Sequence, residues 1–229
     1  MKVTEEELKR LFPHEVDEVY LLIAIARKKY NPQIRSVDDN AKGNAVVRMV
    51  VRHPDDWGRK LARMKAVVNN YTRGFIKPDD FNFYASINPR DVNKAYKMMK
   101  ERFADWDYDN AKAHINRIDA EWVSCLQNKS CRSRKQYFML DIDVKDPKGL
   151  EKIKLTLPEG VYVDEIETRG GYHILLKPFN VYEWGNKHKK MLKEYNVEIM
   201  KDRLIYLGRG HNPKGKYPLK TIIRAGVLE

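Results

Sequence analysis

Phe138-Met139-Leu140-Asp141-Ile142-Asp143-Val144 is the stretch that decides how this chain is read. Three apolar residues lead into two carboxylates at i and i+2. In a β-strand, side chains alternate between faces, so Asp141 and Asp143 share one face and Leu140 and Ile142 the other. Two carboxylates side by side repel unless a cation lies between them. Hard divalent cations such as Mg²⁺ take oxygen ligands, usually one or two carboxylates plus substrate phosphates. The run therefore points to a metal site for phosphoryl chemistry. The plainer alternative is a pair of aspartates that ends a strand, and for an isolated Asp-x-Asp that alternative leads. The surrounding sequence shifts the balance.

Downstream, strand and helix patterns alternate. A strand over 136–144 precedes a helix over Pro147–Leu155. A strand over 162–168 passes through Arg169-Gly170-Gly171 into a strand over 172–177, and a helix follows from 182 to 195. Val197–Met200 and residues 203–207 read as a hairpin turning at Lys201-Asp202 or as one bent strand. The order β-α-β-β-α-β predicts an RRM-like or ferredoxin-like sheet. Within it, Gly170 and Gly171 permit a tight turn and a close approach of phosphate to the backbone. His173 falls just inside the next strand, and Arg169 adds a permanent cation with phosphate-matching geometry.

Upstream, Thr4 before Glu5-Glu6-Glu7 is an N-cap with acids in the first turn. Residues 15–30 carry Val16, Val19, Tyr20, Ile23 and Arg27 at helical spacing and predict a second helix that stops at Asn31-Pro32. Residues 36–44 read as a loop, and 45–51 as a strand. A helix capped by Asp55 or Asp56 runs to Asn69, a strand covers 81–87, and Asn88-Pro89-Arg90 turns. Asp91 caps a helix over 92–106, and another runs from 110 to 127. The polar, basic stretch 128–135 is the best boundary between an N-terminal α/β unit, residues 1–130, and an RRM-like unit, residues 131–229. It is too poor in Gly and Pro to be a free linker, so the halves are expected to pack as one α+β domain.

Composition narrows the partners. The chain has 229 residues, 42% of them hydrophobic, enough to fold around a sizeable core. No apolar stretch reaches the length of a membrane span, and the N-terminus lacks a signal-peptide core, so a cytoplasmic setting is the default. Lys and Arg number 44 against 32 acids, a net charge of +12. Such an excess favours polyanion partners, nucleic acid above all. The basic residues cluster at 129–135, 187–193 and 209–220, flanking the carboxylate site in sequence. Tyr84 or Tyr71 would be available to stack on bases of a single strand. The two cysteines, Cys125 and Cys131, are spaced loosely for zinc even with His114 nearby, and read as ordinary thiols.

An Asp-x-Asp strand, a Gly-Gly-Tyr-His strand some thirty residues on, and a third acid on a later strand together resemble the archaeo-eukaryotic primase superfamily, in particular primase-polymerase members of phage and plasmid type. Asp141 and Asp143 match its first motif. Thr168, Gly171 and His173 match the second loosely, with Arg169 where relatives carry a basic residue. The third motif departs: relatives usually have Asp after an apolar residue, and the best fit here is Val197-Glu198, with Glu194 and Asp202 as alternatives. Glu198 shares its strand face with Met200. The basic segment Arg209, His211, Lys214 and Lys216 ends the match, which covers about residues 136–216. In the first half, the strand ending in Asn88-Pro89-Arg90 is similar to one in some phage and plasmid members.

The resemblance implies a primase-like fold and a DNA primase or primase-polymerase, a nucleotidyltransferase of DNA replication that uses NTPs or dNTPs on a single-stranded DNA template. It implies two divalent ions, Mg²⁺ or Mn²⁺, held by Asp141, Asp143 and Glu198. His173, Thr168, Arg169, Gly171, Tyr172, Arg209, His211, Lys214 and Lys216 would serve the nucleotide, Tyr172 beside its sugar. A helicase or other replication protein is an expected partner. One alternative is a catalytically silent single-strand-binding protein on the same fold. Another is a metal-dependent nuclease, although that class usually needs a catalytic tyrosine or paired histidines, and His173 has no histidine partner in sequence.

Overall fold

Glu18–Arg27 is a strand, not the helix expected over 15–30. Its run Val-Tyr-Leu-Leu-Ile-Ala-Ile-Ala is apolar at every position, and such a run fits a strand buried on both faces as well as it fits a helix. The helical spacing was incidental. Tyr20, Leu22, Ala24 and Ala26 enter one core, while Val19, Leu21 and Ile23 enter another on the opposite face.

The structure, a computed structural model, describes residues 4–27, 44–70, 76–106, 113 and 115–209. In chain order its elements are α1 (Glu5–Leu11), β1 (Glu18–Arg27), β2 (Asn44–Val51), α2 (Asp56–Asn69), β3 (Phe81–Ser86), β4 (Arg90–Asp91), α3 (Val92–Ala104), α4 (Ile118–Gln127), β5 (Phe138–Ile142), α5 (Pro147–Leu155), β6 (Tyr162–Glu167), β7 (Tyr172–Leu176), α6 (Val181–Lys187), α7 (Lys189–Glu194), β8 (Val197–Met200) and β9 (Leu204–Arg209). The class is α+β, with two antiparallel sheets. Thr4 caps α1 through a reciprocal capping box with Glu7. Asp91 caps α3 by accepting from the Lys94 amide, and Asp146 caps α5 by accepting from the Lys148 amide, with Pro147 at the first helical position. Most of the loop expected over 36–44 lies outside the described residues, as does the start of the helix expected from 110. The helix expected over 182–195 is two short helices broken at His188.

The first sheet has the order β2-β1-β3-β9, with β4 pairing with the end of β1. The second has the order β6-β7-β5-β8. The latter follows from a β-α-β-β-α-β segment in which β7 returns between β6 and β5. Neither a hairpin nor one bent strand describes 197–209: β8 lies on the edge of the second sheet, and β9 crosses to pair with β3 in the first. Residues after 131 thus contribute to both sheets.

Three cores hold this together. The inner one combines α1, α2 and the inner face of the first sheet with Tyr137, Met139, Ile166 and Leu175 from the second. Helices α5, α6 and α7 close the far face of the second sheet over Phe138, Leu140, Ile142, Ile174 and Leu176. Helices α3 and α4 close the outer face of the first sheet, where Cys125 and Cys131 are buried free thiols and burial pushes the Cys125 thiol up. Among the described residues, no helix is long and apolar enough to cross a membrane.

The crossover between the sheets is fixed by polar contacts. Arg90 forms a bidentate pair with Asp202, both bonds 2.9 Å, and each side chain is only 6% exposed. Asn88 donates to the Lys201 carbonyl at 3.0 Å and accepts from the Tyr137 amide at 2.9 Å. The Asn-Pro-Arg turn therefore ties β3, the approach to β5 and the β8–β9 connection to one point. Breaking a buried pair by removing one partner costs about 3–5 kcal/mol, because the other charge is left uncompensated. Asp202→Ala should lower the unfolding free energy by about that amount in urea denaturation. A loss below about 1 kcal/mol, the range of a surface pair, would show that the pair does not anchor the crossover.

Candidate active site

Strand register gathers the predicted carboxylates. Asp141 in β5 lies opposite His173 in β7 on one side and Glu198 in β8 on the other. Residues directly opposite in an antiparallel pair project to the same face, with Cβ atoms about 4.5–5.5 Å apart. His173, Asp141 and Glu198 thus form a row across three adjacent strands. Met139, Leu175 and Met200 share that face and pack in the inner core, so the row looks toward the first sheet, while Leu140 and Ile142 face the helices. The face that Glu198 shares with Met200 is the one between the sheets.

Asp143 stands one residue past the end of β5. Its amide donates to the Asn196 carbonyl at 3.4 Å, and its Oδ2 accepts from the Asn196 side chain at 3.4 Å. Asn196 has φ 48°, a left-handed conformation that asparagine tolerates. The edge of β8 thereby orients the second aspartate.

The alternatives for the third acid are placed elsewhere. Asp202 is consumed by Arg90. Glu194 ends α7, in the helical layer that covers the opposite face of the sheet. Glu198 is exposed and in register with Asp141.

The 168–171 turn has a structural logic of its own. Thr168 accepts from the Gly171 amide through Oγ1 at 3.1 Å, and the Thr168 amide donates to the Gly171 carbonyl at 2.9 Å. A Cβ on Gly171 would stand 1.7 Å from the Ile142 carbonyl oxygen. Glycine is therefore required there for contact with the end of β5. A Cβ on Gly170 would find Asp143 Oδ1 no nearer than 4.0 Å, so the tip of the turn lies beside the second carboxylate. Arg169 is exposed at this turn. Tyr172 lies opposite Ile142 and packs with the helical-side core, away from the carboxylate face. Its side chain is not presented to a nucleotide sugar at that face.

His173 is 8% exposed. Its Nδ1 accepts from the Tyr206 amide in β9 at 3.2 Å, and its Nε2 lies 3.4 Å from Asp141 Oδ1. Both ring nitrogens face protein groups. Tyr206 sits beside a register shift in the β3–β9 ladder, where Tyr84 pairs with Tyr206 but Phe83 pairs with Gly208. Such a bulge re-aims the backbone of the strand that carries it.

The other expected positions divide. Arg209 ends β9 and is exposed. His211, Lys214 and Lys216 lie outside the described residues, as does Tyr71. Tyr84 is 8% exposed and packs edge-on against Tyr206 at 5.8 Å, so it offers no open platform for a base. Two of the three basic clusters do not flank the carboxylates. Lys187, Lys189, Lys190 and Lys193 belong to α6 and α7 on the far face. In the 129–135 stretch, Cys131 packs into the outer core, and Arg134 is engaged by Glu15 and by Glu18, the latter at 3.0 Å. A cleft of about 270 Å³ between Arg102, Asp105, Trp106, Arg117 and Glu121 lies on the α3–α4 layer. There Arg102 already donates to Glu121 at 2.7 Å and to Ser124 at 3.1 Å.

Asp141, Asp143 and Glu198 offer the all-oxygen donors that Mg²⁺ and Mn²⁺ prefer. Among the described residues, no group of three or more His, Cys, Asp or Glu side chains stands converged to hold an ion. A Mg²⁺ ion needs only one or two carboxylates, because water and substrate phosphates fill its shell. The donors fit such an ion, with substrate completing the site.

Gly171→Ala should lower the melting temperature sharply, because the new methyl meets backbone rather than a movable side chain; overpacking of this kind costs about 1–3 kcal/mol or more. Gly170→Ala should melt close to the parent. Equal effects would contradict the close approach of Gly171 to β5. Comparison of the chain with protein-family models, with curated proteins and with solved structures returned no significant match.

Proposed function

We propose that this protein is a metal-dependent nucleotidyl transferase, a primase or primase-polymerase of the phage and plasmid type, acting in the cytoplasm on a single-stranded template. The observation that carries the reading is the His173–Asp141–Glu198 row across three strands, with Asp143 beside the Gly170-Gly171 turn. The β6-β7-β5-β8 order, a ferredoxin-like arrangement, supports a primase-like sheet as its scaffold.

Asp141, Asp143 and Glu198 would hold Mg²⁺ or Mn²⁺, which when bound supplies Lewis acidity toward the triphosphate and lowers the pKa of the attacking hydroxyl. The remaining work falls to the chain. Asn196 holds the Asp143 carboxylate toward the turn. Arg169 and Arg209 offer guanidinium groups that match phosphate oxygens in pairs. Cations set in place before the reaction stabilise charge as it develops on the leaving group. The net charge of +12 favours a template strand through its phosphates.

A second reading, a single-strand-binding protein without catalysis, draws support from one observation: the acids are in register but not converged. Activity separates the two. Asp141→Ala with Asp143→Ala should reduce Mn²⁺-dependent nucleotide incorporation by about 10²–10³-fold or more while single-strand binding persists. Glu198→Gln should do likewise, and Glu194→Gln should leave incorporation unchanged. Incorporation that survives loss of both aspartates would remove the metal site from the carboxylate row. Binding to single strands should weaken steeply with salt in a filter-binding titration, and a flat response would contradict a phosphate-driven interaction.

A further inference from the structure

The geometry points to His173 as a positioning residue: an imidazole whose Nδ1 is held by the β9 backbone and whose Nε2 edge aims the Asp141 carboxylate. This deepens the reading above and rests on Asp141 being a metal ligand. On this assignment His173 serves the nucleotide through Asp141 rather than by direct contact.

The Tyr206 amide can only donate, and it points at Nδ1 from 3.2 Å. A nitrogen that accepts must be bare, so the ring proton sits on Nε2. That N–H faces Asp141 Oδ1 at 3.4 Å. This contact is at the long limit of hydrogen-bond distance, and contacts of this kind tighten when a site closes on its ligands. With 8% exposure, the ring has little surface left to offer a phosphate. One carboxylate oxygen of Asp141 then faces the imidazole, and the other is left for an ion. Partners that orient a metal ligand in this way typically change metal affinity about 10–100-fold when removed.

The placement also links the two sheets. His173 belongs to the second sheet and Tyr206 to the first. Arg209, the exposed cation on the same strand, is three residues beyond Tyr206. The bulge in β9 that aims the Tyr206 amide thus connects the strand bearing Arg209 to the Asp141 carboxylate through one imidazole.

Two substitutions separate the two ends of the ring. In His173→Asn the amide oxygen can still accept from Tyr206, but nothing reaches Asp141. In His173→Gln the amide nitrogen reaches the former Nε2 position and can donate to Asp141. Mn²⁺ affinity, measured by electron paramagnetic resonance on the full chain without nucleotide, should fall about 10–100-fold in His173→Asn and stay near the parent value in His173→Gln. Nitrogen NMR of histidine-labelled protein should show His173 with a bare Nδ1 and a protonated Nε2. Equal Mn²⁺ affinity in His173→Asn and the parent, or a proton on Nδ1, would overturn the assignment. So would a loss of affinity for metal-free triphosphate larger than the loss for Mn²⁺. If the parent bound no Mn²⁺, the metal reading would fall, and the tautomer spectrum would still decide whether β9 fixes the ring.

Discussion

The bidentate pair between Arg90 and Asp202 is the constraint on which the rest depends. It is almost fully buried, and desolvating two such charges is justified only by good geometry and further hydrogen bonds. Asn88 supplies one of these, its Nδ2 donating to Asp202 Oδ1 at 3.4 Å, and also binds the approach to β5. The result is that the chain leaves the second sheet after β8 and enters the first as β9 at a fixed point. Without that crossover, β9 would not lie beside β3, and the Tyr206 amide would not reach His173.

Given that frame, the carboxylate row follows from register. β5 sits between β7 and β8, so Asp141, like Met139, Leu140 and Ile142, has a cross-strand neighbour on each side. A one-residue slip in either ladder would send the neighbour to the opposite face. Gly171 helps hold the β5–β7 side, because only a residue without a Cβ can lie against the Ile142 carbonyl. Asn196 holds the β8 side through its two contacts with Asp143. The same devices that fix the register therefore place the acids.

Much of the second sheet was legible in the sequence. The β5 run announced itself by its apolar lead and paired aspartates, and Pro147 after Asp146 marked the start of α5. The first half was less legible where burial was two-sided. β1 has no polar face to reveal a period of two, so its incidental helical spacing misled. The two sheets could not be read from 197–209, because β8 and β9 look like any pair of short apolar runs joined by Lys-Asp. Asp202 was weighed as a metal ligand because an acid between strands carries no sign of its partner, and Arg90 is more than a hundred residues away. The role of His173 was hidden for the same reason: its tautomer depends on a backbone amide from the other sheet. Tyr84 looked like a stacking platform because an aromatic on a strand does not say which face is covered.

The most direct test of the central claim is a crystal of this protein soaked with Mn²⁺ and a non-hydrolysable nucleoside triphosphate, read by anomalous scattering. Manganese should lie between the two sheets, bound by Asp141 with Asp143, Glu198 or both, and by triphosphate oxygens. Manganese bound away from Asp141, or a nucleotide bound with no metal at the carboxylate row, would contradict it.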